Sequence, residues 1–140
     1  MQASDIQRLL DGTPVHRALR LRVAGSGDGT VVLRADAGPE HLAEDGAEYL
    51  HGGVVATVLD TTATFALIGA TGTDWSTVDL RVDYLRPAPP GELEARGSAV
   101  QIGKRLGRAT AELFAAESGQ LLASAAGTFV RSAPAAGVPA

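Results

Sequence analysis

The sequence predicts an α+β fold in which a sheet of about six strands wraps one long apolar helix. Three observations carry this prediction. Apolar residues in the run 53–69 recur at helical spacing, and the run is longer than an ordinary strand. From Ser76 onward the period changes to two. Short glycine- and proline-rich breaks separate the later segments, and no shift in composition marks a second domain. A chain of 140 residues is long enough for one domain with a real core. Residues 1–131 are therefore expected to form a single domain, and the tail 132–140 ("SAPAAGVPA") to be disordered.

The elements are justified in order along the chain. Ser4 can cap a short helix ("DIQRLLDG") that Gly12 and Pro14 stop. Residues 19–23 ("LRLRV") alternate apolar and basic as a half-buried strand does, and 25–29 ("GSGDG") is a turn. Residues 30–35 ("TVVLRA") form the returning strand, and 38–50 is a polar loop. The helix over 53–69 is apolar nearly all round, so it is expected to be buried. Its β-branched residues lower its intrinsic propensity, and its stability must come from packing. In "STVDLRVDYLRP" the alternation predicts Val78, Leu80, Val82 and Tyr84 on one face, with Thr77, Asp79, Arg81 and Asp83 on the other. Three more strands follow, at about 92–102, 106–115 and 121–131, broken at "GKRLG" and "ESGQ". Short connections predict that the four later strands form an antiparallel meander.

Composition narrows the function. A net charge of −4 argues against a nucleic-acid partner. The absence of cysteine removes disulfide and thiolate chemistry. The first residues lack the basic start and apolar core of a signal peptide, and the helical run carries Asp60 and four threonines, too polar for a membrane span. A cytoplasmic protein with no membrane partner is expected. His16, His41 and His51 lack ligand spacing, so no metal is implied.

The chemistry concentrates in "HGGVVATVLD", residues 51–60. A helix N-terminus offers unpaired N–H groups and partial positive charge, and glycine admits close approach. Gly52 and Gly53 can thus form an oxyanion-type site; two glycines also serve a plain loop-to-helix turn. Asp60 is a carboxylate in an apolar helix, a general base or nucleophile if the site is dry, a carboxylate bonded to a neighbouring strand or facing solvent otherwise. Eight residues separate Gly52 from Asp60, about 12 Å along a helix. Groups acting on one carbonyl must lie closer. If both serve one site they come from two chains, which predicts a symmetric dimer with composite sites.

Together "HGGVVATVLDTTATFAL", "STVDLRVDYLRPAPPGELEARG" and "GKRLGRATAEL" resemble the hot-dog-fold acyl-CoA thioesterases, nearest the PaaI-like, phenylacetate-pathway group of the 4-hydroxybenzoyl-CoA thioesterase superfamily. The resemblance runs from about Leu19 to Val130. It implies a curved antiparallel sheet around one helix, and homodimers often paired into homotetramers. It implies an acyl-CoA substrate and no cofactor beyond the CoA of that substrate. Gly52 would offer its N–H to the thioester carbonyl, and the partner's Asp60 would act as nucleophile or general base. His51 would brace the loop, and Thr77 would help hold the attacking water. Thr64, one turn after Asp60, either orients substrate or carboxylate or bonds its own helix backbone. Leu59 and Phe65 would help form the acyl pocket, with Gly53 beside the substrate. Lys104, Arg105 and Arg108, joined by Arg86, would meet the CoA phosphates. Many relatives in that family carry Asn or Gln six residues before the His; here that position is Asp45, or Ala43 if the loop is two residues longer. That departure keeps a non-hydrolytic acyl-CoA binding module on the same fold as the alternative. A hot-dog dehydratase would need an Asp and a His on a hydration-type motif, which is not found. A plain structural dimer would bind no CoA.

Overall fold

The structure is a computed structural model and describes residues 1–132. Helix α1 (Ala3–Asp11) starts before Ser4, with Gln2 at its N-cap. Asp5 accepts from the Gln2 N–H at 3.3 Å, so Ser4 sits inside the first turn rather than capping it. Gly12 ends the helix, but Pro14 opens another, α2 (Pro14–Ala18). Proline suits a first helical position, where its missing N–H is not needed. Strand β1 (Arg22–Gly27) begins later than the alternation suggested. Leu19 ends α2 and Arg20 turns the chain with φ 49°, while Leu19 and Leu21 both enter the core. The turn to β2 (Thr30–Ala37) is only Asp28 and Gly29, both at positive φ, the geometry that suits a tight hairpin. Beyond β2, a single 3-10 turn (Pro39–His41) interrupts the loop.

Helix α3 (Gly52–Thr71) is closed by Gly72 at φ 67°. It is long and apolar enough to cross a membrane by those criteria alone. Here it is the core: Val55, Val58, Leu59, Ala63, Phe65, Ala66, Leu67 and Ile68 are all buried. The remaining strands are β3 (Trp75–Tyr84), β4 (Gly91–Ile102), β5 (Leu106–Ala115) and β6 (Leu121–Arg131).

All neighbouring strands are antiparallel, in the order β1-β2-β4-β5-β6-β3, in one six-stranded sheet with α3 packed on it. This is the hot-dog architecture. The expected meander holds for β4, β5 and β6 but not for β3, which pairs with β6 at the sheet edge. The segment after β3 contains Pro87, Pro89 and Pro90, which cannot make a tight hairpin, and it carries the chain across the fold. On the way the Ala88 carbonyl accepts from the Leu50 N–H at 2.8 Å, anchoring the approach to α3. On β4, Gly97 faces the helix, and an added Cβ would lie 2.5 Å from the Thr62 carbonyl oxygen. The predicted tail falls on residues 132–140. Ser132 is placed, with its N–H on the Asp74 carbonyl and its hydroxyl 2.8 Å from that of Ser76; residues 133–140 lie outside the described residues.

Candidate active site

The α3 N-terminus shows how its first donors are used. His51 is the N-cap, and its Nδ1 accepts from the Gly53 N–H at 2.9 Å. Being an acceptor, Nδ1 is unprotonated, so a neutral ring carries its proton on Nε2. The Val54 N–H donates to the His51 carbonyl at 2.9 Å. Among the described residues the Gly52 N–H has no acceptor, so Gly52 retains the free donor of this turn and Gly53 does not. The His51 N–H in turn bonds the carbonyl of the buried His41, fixing the loop behind it. His51 thus ties the first turn of α3 to the loop that precedes it.

Asp60 lies two turns further on and is half-buried. Thr77 donates its hydroxyl to Asp60 Oδ1 at 2.7 Å. Simple alternation placed Thr77 on the other face from Leu80 and Val82, away from the helix. The structure corrects this. The β3–β6 register slips between Thr77 and Asp79, so Val78 is the extra residue of a β-bulge. Val78 is 62% exposed, while Trp75 is buried and Leu80 and Val82 pack on the core. Before the bulge the odd residues Trp75 and Thr77 face the helix; after it Leu80 and Val82 do. The bulge is what aims Thr77 at Asp60.

The other expected residues separate. Thr64 donates to the Asp60 backbone carbonyl at 2.8 Å, the local helix bond. Leu59 is fully buried in the core, so it lines no open pocket within one chain; its side chain fills the space under the sheet. Phe65 is buried beside His16, ring edge to face at 5.9 Å. Asp45 is exposed in the preceding loop, and no amide occupies its place. Lys104 and Arg105 sit exposed in the β4–β5 turn, with Arg108 on the exposed face of β5. Among the described residues these three are the cations whose side chains have no partner. The other nine are bonded to carboxylates or carbonyls. Gly107 pairs with Phe129, which pairs with Thr77, so the basic turn lies near the Asp60 end, about 10 Å across two strand spacings. Arg86 is not with them. It donates to the Leu121 carbonyl at 3.0 Å, at the Tyr84 end of β3.

Two residues beside the site carried no signal in the sequence. Tyr84 donates its hydroxyl to the Gly52 carbonyl at 2.7 Å. His16, from the unexpected α2, places Nε2 3.2 Å from the Thr61 hydroxyl, next to Asp60 in sequence. Burial pushes the His16 imidazole below its usual range, opposed by the Leu10 carbonyl and the Asp60 carboxylate.

The family model described as "Thioesterase superfamily" matches residues 47–122, which include the α3 start, Asp60, Thr77 and the basic turn. The medium/long-chain acyl-CoA thioesterase YigI of Salmonella typhimurium is 30% identical over 132 residues, covering 84% of each chain. A thioesterase family protein from Silicibacter pomeroyi superposes with a TM-score of 0.84 at 25% identity, covering 94% of this chain and 98% of that one. The Escherichia coli PaaI protein shares the fold, with a TM-score of 0.82 at 19% identity over 95% of this chain and 98% of that one. The chain belongs to the thioesterase superfamily, and it is a thioester hydrolase.

Proposed function

We propose that the protein hydrolyses a medium- to long-chain acyl-CoA to free acid and CoA, with Asp60 and the Gly52 N–H as its catalytic pair. The observation that carries this reading is the Thr77–Asp60 bond, which holds one carboxylate oxygen in place on a helix with no other charged residue. Asp60 supplies the attacking oxygen, directly or from a water it deprotonates. As the carbonyl carbon becomes tetrahedral its oxygen gains negative charge, and the free Gly52 N–H at the positive helix end stabilises it. Collapse breaks the C–S bond and releases the CoA thiolate, which takes up a proton; where Asp60 attacks directly, water then hydrolyses the acyl–Asp60 anhydride to free acid and restores the carboxylate. Lys104, Arg105 and Arg108 suit the nucleotide phosphates because no protein acceptor already holds them. The acyl class rests on the name of the YigI relative. The site is completed by a second copy, in a homodimer that can pair further into a tetramer, working in the cytoplasm.

Free-thiol release from a panel of acyl-CoAs tests the proposal. Wild type is expected to turn over medium- or long-chain members, and Asp60→Asn to lose at least about a hundredfold in kcat/KM. The Asp45 departure favours the binding-module reading. Tight acyl-CoA binding with no thiol release by wild type would establish that reading instead.

A further inference from the structure

The peptide unit joining Gly52 to Gly53 is held at both ends. Its carbonyl accepts from the Tyr84 hydroxyl at 2.7 Å, and its N–H donates to His51 Nδ1 at 2.9 Å. The carbonyl of a first helical residue already accepts the ordinary bond from the N–H four residues on. The tyrosine bond is therefore not needed to satisfy it. The Tyr84 ring also lies against Gly52: a Cβ added there would meet ring carbons and the hydroxyl at 3.5 Å. Tyr84 itself is 55% exposed, so burial does not explain its placement. What the two bonds do together is fix the plane of the first peptide of α3. The next peptide back along the chain carries the Gly52 N–H, and its direction follows from the torsion at Gly52. Glycine's torsions are the least restricted of any residue, so that direction needs an external hold.

We propose that Tyr84 is a positioning residue which, with His51, clamps the Gly52–Gly53 peptide and so aims the Gly52 N–H at the thioester carbonyl. This rests on the proposed hydrolytic role of Gly52. An oxyanion donor acts through its alignment with the oxygen of the transition state rather than of the ground state. Loosening it lowers kcat more than it changes substrate binding.

Tyr84→Phe keeps the ring and removes only the bond. It is expected to lower kcat about tenfold while KM for the same acyl-CoA stays within about twofold. Gly52→Pro supplies the second arm. Proline at a first helical position keeps the helix and deletes the donor, and His51 already has the extended backbone (φ −58°, ψ 134°) that a residue before proline adopts. In the Gly52→Pro background there is no N–H left to aim, so adding Tyr84→Phe should leave the residual rate unchanged. An unchanged kcat in the single variant overturns the proposal. So does an equal fold-loss in both backgrounds, which marks Tyr84 as merely structural. Wild type and Asp60→Asn run in the same assay. Active wild type, inactive Asp60→Asn and unaffected Tyr84→Phe refute the clamp alone; inactive wild type refutes the hydrolytic reading and the clamp with it.

Discussion

His16, on α2, is held in its neutral form by its surroundings: the Phe65 ring at its edge, the Thr61 hydroxyl at Nε2, and partial burial against α3. Burial is the dominant cause, and it lowers the folded-state pKa below the ordinary 6.5. On acidification the unfolded chain takes up this proton first. Between the two pKa values unfolding binds protons, so stability rises with pH across that window. The contribution is complete above about pH 6.5 and is lost as pH falls toward the folded value. Urea unfolding at about pH 7.5 and about pH 5.5 should therefore show a smaller acid loss in His16→Gln than in wild type. Equal losses would mean that His16 does not govern the acid side. The site residues were legible to different degrees for physical reasons. Gly52 and Asp60 show in the sequence because a glycine pair and a lone charge both interrupt an apolar run. Thr77 shows only through the family resemblance, since its aim depends on a bulge that local sequence does not mark. Tyr84 and His16 act through long-range contacts, and no local pattern announces them.

At the scale of elements, α3 and the strands β5 and β6 were readable because each keeps one apolar period along its length and follows a glycine-bearing turn. The missed features are those that tertiary structure imposes. Val78 fits an alternating strand, yet β3 must shift by one residue there to keep both Trp75 and Leu80 on the core. Pro14 serves as a stop or a start, and Leu19 with Leu21 decides for a start by needing burial. The closeness of helix to sheet was equally unreadable, and it depends on Gly97. A Cβ there would fall 2.5 Å from the Thr62 carbonyl oxygen, a backbone atom that cannot swing aside. Gly97→Ala must push α3 outward, and overpacking of this kind costs about 1–3 kcal/mol. The thermal midpoint is expected to drop by several degrees. Thr62 is two residues from Asp60, so turnover should fall as well. An alanine variant that melts with wild type would show that α3 does not sit as tightly on β4 as this contact implies.

For the whole molecule, the proposed catalytic pair and the sheet edge pose one problem. Within one chain Gly52 is tied to Tyr84 at one end of β3, and Asp60 to Thr77 near the other. On the proposed reading these two groups act on one carbonyl, yet they are about 12 Å apart along α3, too far to do so within one chain. β3 also leaves a free edge of ten residues, with Val78, Tyr84 and Leu85 each more than half exposed along or just beyond it. Such an edge invites pairing with another strand. Antiparallel pairing of two β3 strands about a two-fold between Leu80 and Arg81 would set Thr77 of one copy opposite the partner's Tyr84. That register would bring Asp60 to the partner's Gly52, twice per dimer. Subunit mixing tests this directly. On the proposed architecture Gly52→Pro and Asp60→Asn would each disable every site of their own homodimers. In a mixed dimer one site combines both lesions, and the other combines an intact Gly52 with an intact partner Asp60. Random reassortment makes half the dimers mixed with one working site each, so activity should recover to about a quarter of wild type. Sites built within single chains would give no recovery, because each chain then keeps its own lesion. Mixing after denaturation and refolding, with thiol release as the readout, therefore separates the two architectures without a structure of the dimer.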